Sequence, residues 1–289
     1  MTPNELKDAV LGVKRWSRSD QRAPNKPIMM AYVLSRYLQD HDQFFLYEDS
    51  LHQEVQALLK RFGPSRSIYH PEYPFWRLKN DGFWTVNNDE ECKSRKSNTD
   101  PSKAELIKHG VTAGFNDQAY AVLKGDSQLT LELIELILSE SFPDSIVLDV
   151  SAQLGIELTT RNIKKRDPNF RKEVLRAYNF QCAVCGYDLR MDDVSVGLEA
   201  AHIKWKQFHG PCDVSNGLTL CAVHHKAFDK GAFSITADFK VKLSDSLNGG
   251  EQAQRLFFDF EDKLIRLPKK DSWMPNVGHL NWHQKEVFK

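Results

Sequence analysis

The chain lacks any apolar run long enough to span a bilayer, and it lacks the basic-then-apolar opening that directs secretion. The first absence excludes a helical membrane protein, and the two together point to the cytoplasm. Cysteine is scarce, five among 289 residues, and that usage fits a reducing compartment. Net charge is missing as well, since 39 Lys and Arg balance 39 Asp and Glu. A polyanion would therefore have to be held by local patches rather than by the field of the whole molecule. No internal repeat is visible. What is present is a globular composition, 41% hydrophobic with six tryptophans and 27% charged, at a length that suits two domains.

The charge is unevenly placed. Basic residues cluster at Lys14, Arg15, Arg18, Arg22 and Lys26, and again at Arg161, Lys164, Lys165, Arg166, Arg171, Lys172 and Arg176. Residues 128–144 instead carry Glu132, Glu135, Glu140 and Asp144 without a basic partner. Such stripes can hold phosphates while acidic faces point away, although a charge cluster is also what an ordinary solvated face looks like.

Three of the cysteines fall into two ligand pairs, Cys182-x-x-Cys185 and Cys221-x-x-His224. Two soft pairs at this spacing wrap one tetrahedral zinc, and four ligands close its shell, so the metal is expected to be structural. Cys92 and Cys212 belong to neither pair. Inside the bracket, Leu198–Ile203 reads as a short strand. Residues 218–221 read as a second strand leading into a helix over about 222–230. On that helix His225 and Asp229 share a side at i and i+4, next to the side carrying Cys221 and His224.

His202, Asn216 and His225, set on strand, loop and helix, resemble the HNH endonucleases, as does the wording Glu199-Ala-Ala-His-Ile203 and Ser215-Asn-Gly-Leu-Thr-Leu-Cys221. The resemblance implies a ββα-metal nuclease. It implies that His202 is the general base toward an attacking water, that Asn216 braces the loop, and that His225 holds a divalent cation, magnesium or manganese, with Asp229 as a second ligand. Many such proteins place a metal-binding residue immediately before the base, where this chain has Ala201; Glu199 is the candidate substitute.

The first part of the chain, to about residue 158, shows helical patterns near 4–13, 27–39, 51–62 and 128–140. Between them Phe75–Leu78 and Phe83–Val86 flank Asn80-Asp81-Gly82, which predicts a hairpin and, with the helices, a winged-helix-like reader. Asn87–Lys103 reads as a surface loop, and a helix ending near Tyr178 opens the second domain. The terminal segment with Trp273, Trp282 and His283 reads as a packed extension of that domain.

Arg22-Ala-Pro-Asn-Lys-Pro27 followed by an apolar helix, and Tyr73-Pro-Phe-Trp-Arg-Leu78 through Trp84, resemble the sulfur-binding domain of McrA-like phosphorothioate-dependent restriction endonucleases. A phosphorothioate sulfur is larger, more polarisable and less hydrated than the oxygen it replaces. An apolar cup favours it by dispersion and disfavours the oxygen by desolvation. The resemblance assigns that cup to Tyr73 and Pro74, with Arg22, Lys26 and Arg77 as backbone and groove contacts. Arg77 stands where some relatives have a small residue. Phe75, Trp76 and Trp84 are expected in the core.

The combined expectation is an α+β chain with a reader over 1–158 and a zinc-stapled HNH nuclease over 159–289. It would bind double-stranded phosphorothioated DNA and hydrolyse it by a one-metal mechanism, as a possible homodimer. The alternatives are an HNH nuclease reading another mark, such as a modified cytosine, and a non-cleaving reader with a structural zinc domain.

Overall fold

The computed structural model describes residues 1–13, 23–92, 100–158 and 168–289. Its contacts divide the chain into two compact units, Met1–Ser141 with Val147–Thr159, and Phe142–Ile146 with Thr160–Lys289. Among the described residues no helix is long and apolar enough to cross a membrane.

In the first unit α1 (Pro3–Leu11) starts at a capping box, in which Thr2 and Glu5 satisfy each other's backbone N–H groups. Helix α2 (Asn25–Tyr37) is buried continuously from Pro27 to Ser35. Being apolar on most sides, it becomes the central helix. Next come β1 (Phe45–Leu46), α3 (Asp49–Phe62), α4 (Glu72–Arg77), β2 (Trp84–Asn87), α5 (Lys103–Lys108), β3 (Thr112–Phe115), α6 (Asp117–Lys124), α7 (Ser127–Ser139) and the greater part of α8 (Asp144–Gln153), whose first residues fall in the second unit. The strands form one antiparallel sheet in the order β1-β3-β2, and α7 packs on α2.

The hairpin expected over residues 75–86 does not form. Pro74 lies in the first turn of α4, where a missing N–H is tolerated. The chain stays helical through a 3-10 turn, Leu78–Asp81, and Gly82 ends it in the left-handed region at φ 81°. Asn80-Asp81-Gly82 is thus a helix stop. Strand β2 pairs with β3, Trp84 opposite Phe115, instead of with residues 75–78. The polar stretch after Asn87 opens with a 3-10 turn, Asp89–Cys92, and residues 93–99 of it lie outside the described residues. Phe75 and Trp84 are buried, at 0% and 4% exposure, whereas Trp76 is half-buried.

The second unit contains α9 (Pro168–Ala177), β4 (Arg190–Met191), β5 (Val194–Ser195), β6 (Leu198–His202), β7 (Gly217–Cys221), α10 (Ala222–Asp229), β8 (Phe233–Ile235), β9 (Val241–Leu243), α11 (Glu251–Leu256) and α12 (Val277–Glu286). Strands β6 and β7 pair from Leu198 opposite Cys221 to His202 opposite Gly217. Helix α9 lies close on this pair: a Cβ at Gly217 would come within 2.4 Å of Val174 Cγ2 and 3.1 Å of Phe170 Cζ. Thr219 Oγ1 donates to the Val174 carbonyl at 3.1 Å and the Arg171 guanidinium to the Leu198 carbonyl at 3.0 Å, fixing the seat.

The C-terminal helix is internal structure. His283 is fully buried, accepts from Ser234 Oγ at Nδ1, donates from Nε2 to the Phe228 carbonyl, and stacks on Phe228 with centroids 3.6 Å apart. Trp282 meets Trp205 and Phe208 of the loop after β6.

Candidate functional site

One ligand atom from each of Cys182, Cys185, Cys221 and His224 lies within 4.8 Å of the others. Cys182 and Cys185 come from the turn after α9, where Gly186 adopts φ 76° and its N–H reaches the Cys182 carbonyl at 2.9 Å. Cys221 ends β7 and caps α10, and His224 follows one turn on. His224 Nε2 donates to the Leu256 carbonyl at 2.8 Å, which leaves Nδ1 facing Cys221 Sγ at 3.1 Å and Cys182 Sγ at 3.7 Å.

The buried sulfurs and the imidazole perturb one another's titration. Hydrogen bonds from Cys185 and Cys221 hold the Cys182 thiol far below its ordinary pKa, while the hydrogen bond with Cys182 holds Cys221 far above. Burial lowers His224, but its sulfur neighbours outweigh that and raise it to about 10. Three thiolates and an imidazole oriented by a backbone carbonyl make a zinc donor set with no place left for a reacting water.

The strand, loop and helix between these ligands bring the other histidines close to the same core. His202, at the end of β6, is half-buried, with its ring stacked on Phe170 (4.1 Å between centroids, 16° between planes). Cys212 Sγ lies 3.6 Å from His202 Nε2. Asn216 is fully buried and spans the loop: its Oδ1 accepts from Lys204 N at 2.8 Å, and its Nδ2 donates to the Lys204 and Pro211 carbonyls at 3.0 and 2.9 Å.

His225 sits between two carboxylates. Its Nδ1 is 2.5 Å from Glu199 Oε2 and its Nε2 3.1 Å from Asp229 Oδ2, and Ser145 Oγ donates to the same Asp229 oxygen. Glu199 is the exposed member, at 36%, against 2% for Asp229. Burial lowers the His225 pKa, but the Asp229 charge and the hydrogen bonds to Asp229 and Glu199 raise it to about 9. Burial likewise opposes the Asp229 charge, yet His225 and Ser145 hold its pKa below the ordinary value. An imidazole with a carboxylate on each nitrogen can give one nitrogen and one carboxylate to a cation while the other carboxylate fixes its tautomer.

In the first unit Tyr73 is half-buried and Pro74 is buried. The Tyr73 ring stacks with His70, centroids 4.5 Å apart, and the Arg77 guanidinium lies 4.8 Å from its centroid. Arg77 binds Asp100, Nε to Oδ2 at 2.6 Å, and Lys26 binds Asp81 at 2.5 Å. Arg22 lies outside the described residues, as do Lys14, Arg15, Arg18 and Arg161, Lys164, Lys165 and Arg166 of the basic clusters. Lys172 and Arg176 are exposed on α9. Sequence reasoning missed Phe170, Ser145 and Cys212; none stands at a motif spacing, and each reaches the site only through the fold.

Comparison with known proteins gives two family matches: residues 3–159 to the ScoMcrA-like DNA sulfur-binding domain, and residues 182–236 to HNH endonuclease. No curated protein matches the chain. Among solved structures, the sulfur-binding domain of ScoMcrA complexed with phosphorothioated DNA is 17% identical with a TM-score of 0.43, covering 50% of this chain and 93% of that one. The type IV phosphorothioation-dependent restriction endonuclease ScoMcrA is 16% identical with a TM-score of 0.41, over 62% of this chain and 34% of that one. The modification-dependent TagI restriction endonuclease is 25% identical with a TM-score of 0.30, over 46% and 41%. On the match that covers more than half its length, the protein belongs to the ScoMcrA-like family with a DNA sulfur-binding domain, and the HNH domain that follows makes it a DNA endonuclease.

Proposed function

We propose that the protein is a phosphorothioate-dependent restriction endonuclease, with a reader over residues 1–158 that holds sulfur-modified duplex DNA and a nuclease over 159–289 that hydrolyses nearby phosphodiesters. The observation that carries this reading is the succession, in one chain, of a DNA sulfur-binding domain and an HNH endonuclease domain. Tyr73 and Pro74 face the sulfur, and Arg22, Lys26 and Arg77 take the backbone and groove around it.

In the nuclease, His202 accepts the proton of the attacking water and Phe170 supports its ring. Asn216 holds the loop that follows His202. His225 and Asp229 hold the divalent cation, magnesium or manganese, while Glu199 accepts from the other imidazole nitrogen. That cation, when bound, stabilises charge on the scissile phosphate and the leaving 3′ oxygen. Cys182, Cys185, Cys221 and His224 hold a structural zinc. One such site cuts one strand, so a double-strand break calls for two chains, as a homodimer or as two molecules on one DNA.

The test is to incubate the protein and its His202→Ala variant with manganese and matched duplexes that are unmodified, phosphorothioated or cytosine-methylated. Selective binding and cutting of the sulfur duplex is expected, with cutting alone lost in the variant. Equal treatment of all three duplexes would overturn the sulfur reading, and preference for the methylated one would transfer the reader to another mark.

A further inference from the structure

The two described cations assigned to DNA contact are already engaged. Lys26 Nζ lies 2.5 Å from Asp81 Oδ2, with the side chains 16% and 4% exposed. Arg77 directs both Nε, at 2.6 Å, and a terminal nitrogen, at 2.5 Å, to Asp100 Oδ2. The neighbouring Lys79 repeats the pattern: it lies 3.3 Å from Asp89 and 3.6 Å from the centroid of the Trp76 ring.

A carboxylate offers these cations the charge and acceptor geometry that a DNA phosphate offers. The Asp81 side chain, 4% exposed in the 3-10 turn that Gly82 closes, is held against Lys26. A phosphate arriving at Lys26 or Arg77 therefore has to displace an aspartate or sit beside it, and like charges held together oppose binding. The backbone contribution is what supplies nearly all non-specific DNA affinity.

Resting on the reader assignment above, we infer that Asp81 and Asp100 act as internal phosphate mimics that set how tightly the reader holds any DNA backbone. They weaken undirected backbone binding, so that the added affinity from the sulfur contact decides whether the protein stays on DNA. The formal charge balance of 39 against 39 fits a protein that does not rely on bulk attraction to DNA.

The test uses the full chain without added magnesium or manganese, comparing wild type with Asp81→Asn and Asp100→Asn on matched unmodified and phosphorothioated duplexes at several salt concentrations. Each variant is expected to bind unmodified DNA about tenfold more tightly at low salt, with a log–log salt slope steeper by about one for each released cation. The phosphorothioated duplex should gain by a similar factor, leaving the sulfur preference intact, and Asp100→Glu should restore weak binding. A thermal melt of each variant separates a gain of affinity in folded protein from binding by unfolded chain, and Asp100, in the more exposed pair, decides the matter if Asp81→Asn is unstable. Unchanged or weaker binding of unmodified DNA by a folded Asp100→Asn chain would overturn the inference and make the aspartates braces instead. A wild-type chain with no preference for sulfur would defeat the reader assignment separately.

Discussion

The ring of Phe170 lies nearly parallel to the imidazole of His202, 4.1 Å away between centroids. Helix α9 carries that ring, and it sits outside the residues matched to HNH endonuclease. In the proposed role of His202 as general base, a displacement of even a fraction of an ångström would cost alignment with the attacking water. Phe170→Leu is therefore expected to slow single-turnover cleavage by about 10- to 100-fold while zinc content and DNA affinity stay unchanged. Phe170→Tyr should keep most of the rate; equal rates in all three proteins would show that the stack positions nothing.

Asn216 serves three backbone groups at once, Lys204 N, Lys204 O and Pro211 O. Alanine there deprives buried polar groups of this partner at a cost of about 2–4 kcal/mol. Guanidinium denaturation should register the loss, and limited proteolysis should open the 203–216 loop before the rest of the unit unfolds.

Elemental analysis is expected to find one zinc per chain held by Cys182, Cys185, Cys221 and His224. In small zinc-folded peptides such a site contributes about 10–16 kcal/mol of apparent binding energy. Chelation or Cys182→Ser should lower the melting temperature of the second unit sharply, as followed by calorimetry. Retention of its full transition after the metal is removed would show that the cluster is dispensable.

The pKa of His225 is raised to about 9 from 6.5. In cation-free protein the stabilisation from this proton is fully present below pH 6.5 and is lost as pH rises through about 9. A cation on the same imidazole must displace the proton, so manganese affinity should climb by up to about tenfold per pH unit across that window. Calorimetric titration near pH 7 and pH 8.5 checks this; a pH-independent affinity would place the cation away from His225.

The nuclease half was legible because its signals are local. The strand at 198–202, the strand at 217–221 and the helix at 222–229 all fall at motif spacing, and the Cys and His pairs define their cluster without knowledge of the fold. The region at 72–87 was misread because aromatic residues flanking Asn-Asp-Gly suit a hairpin as well as a helix ended by glycine. What decided it was the pairing of Trp84 with Phe115, some thirty positions away, which no window around residue 80 contains. Asp229 reaches His225 at the i, i+4 spacing of α10, as the sequence indicated, whereas Glu199 comes to the other imidazole nitrogen from β6 and Ser145 to Asp229 from a still more distant segment. Side-chain convergence of that kind is written in the tertiary structure rather than in spacing.

The missing side chain at Gly217 lets α9 settle directly onto the strand pair, Val174 against one position and Phe170 beside His202. The motif boundaries and the physical boundaries of the nuclease therefore differ. A fragment cut to begin at Cys182 would keep every metal ligand yet expose the groove that α9 fills and strip the ring from His202. The smallest autonomous nuclease has to begin no later than Pro168, and it would be separable from the reader only upstream of that helix.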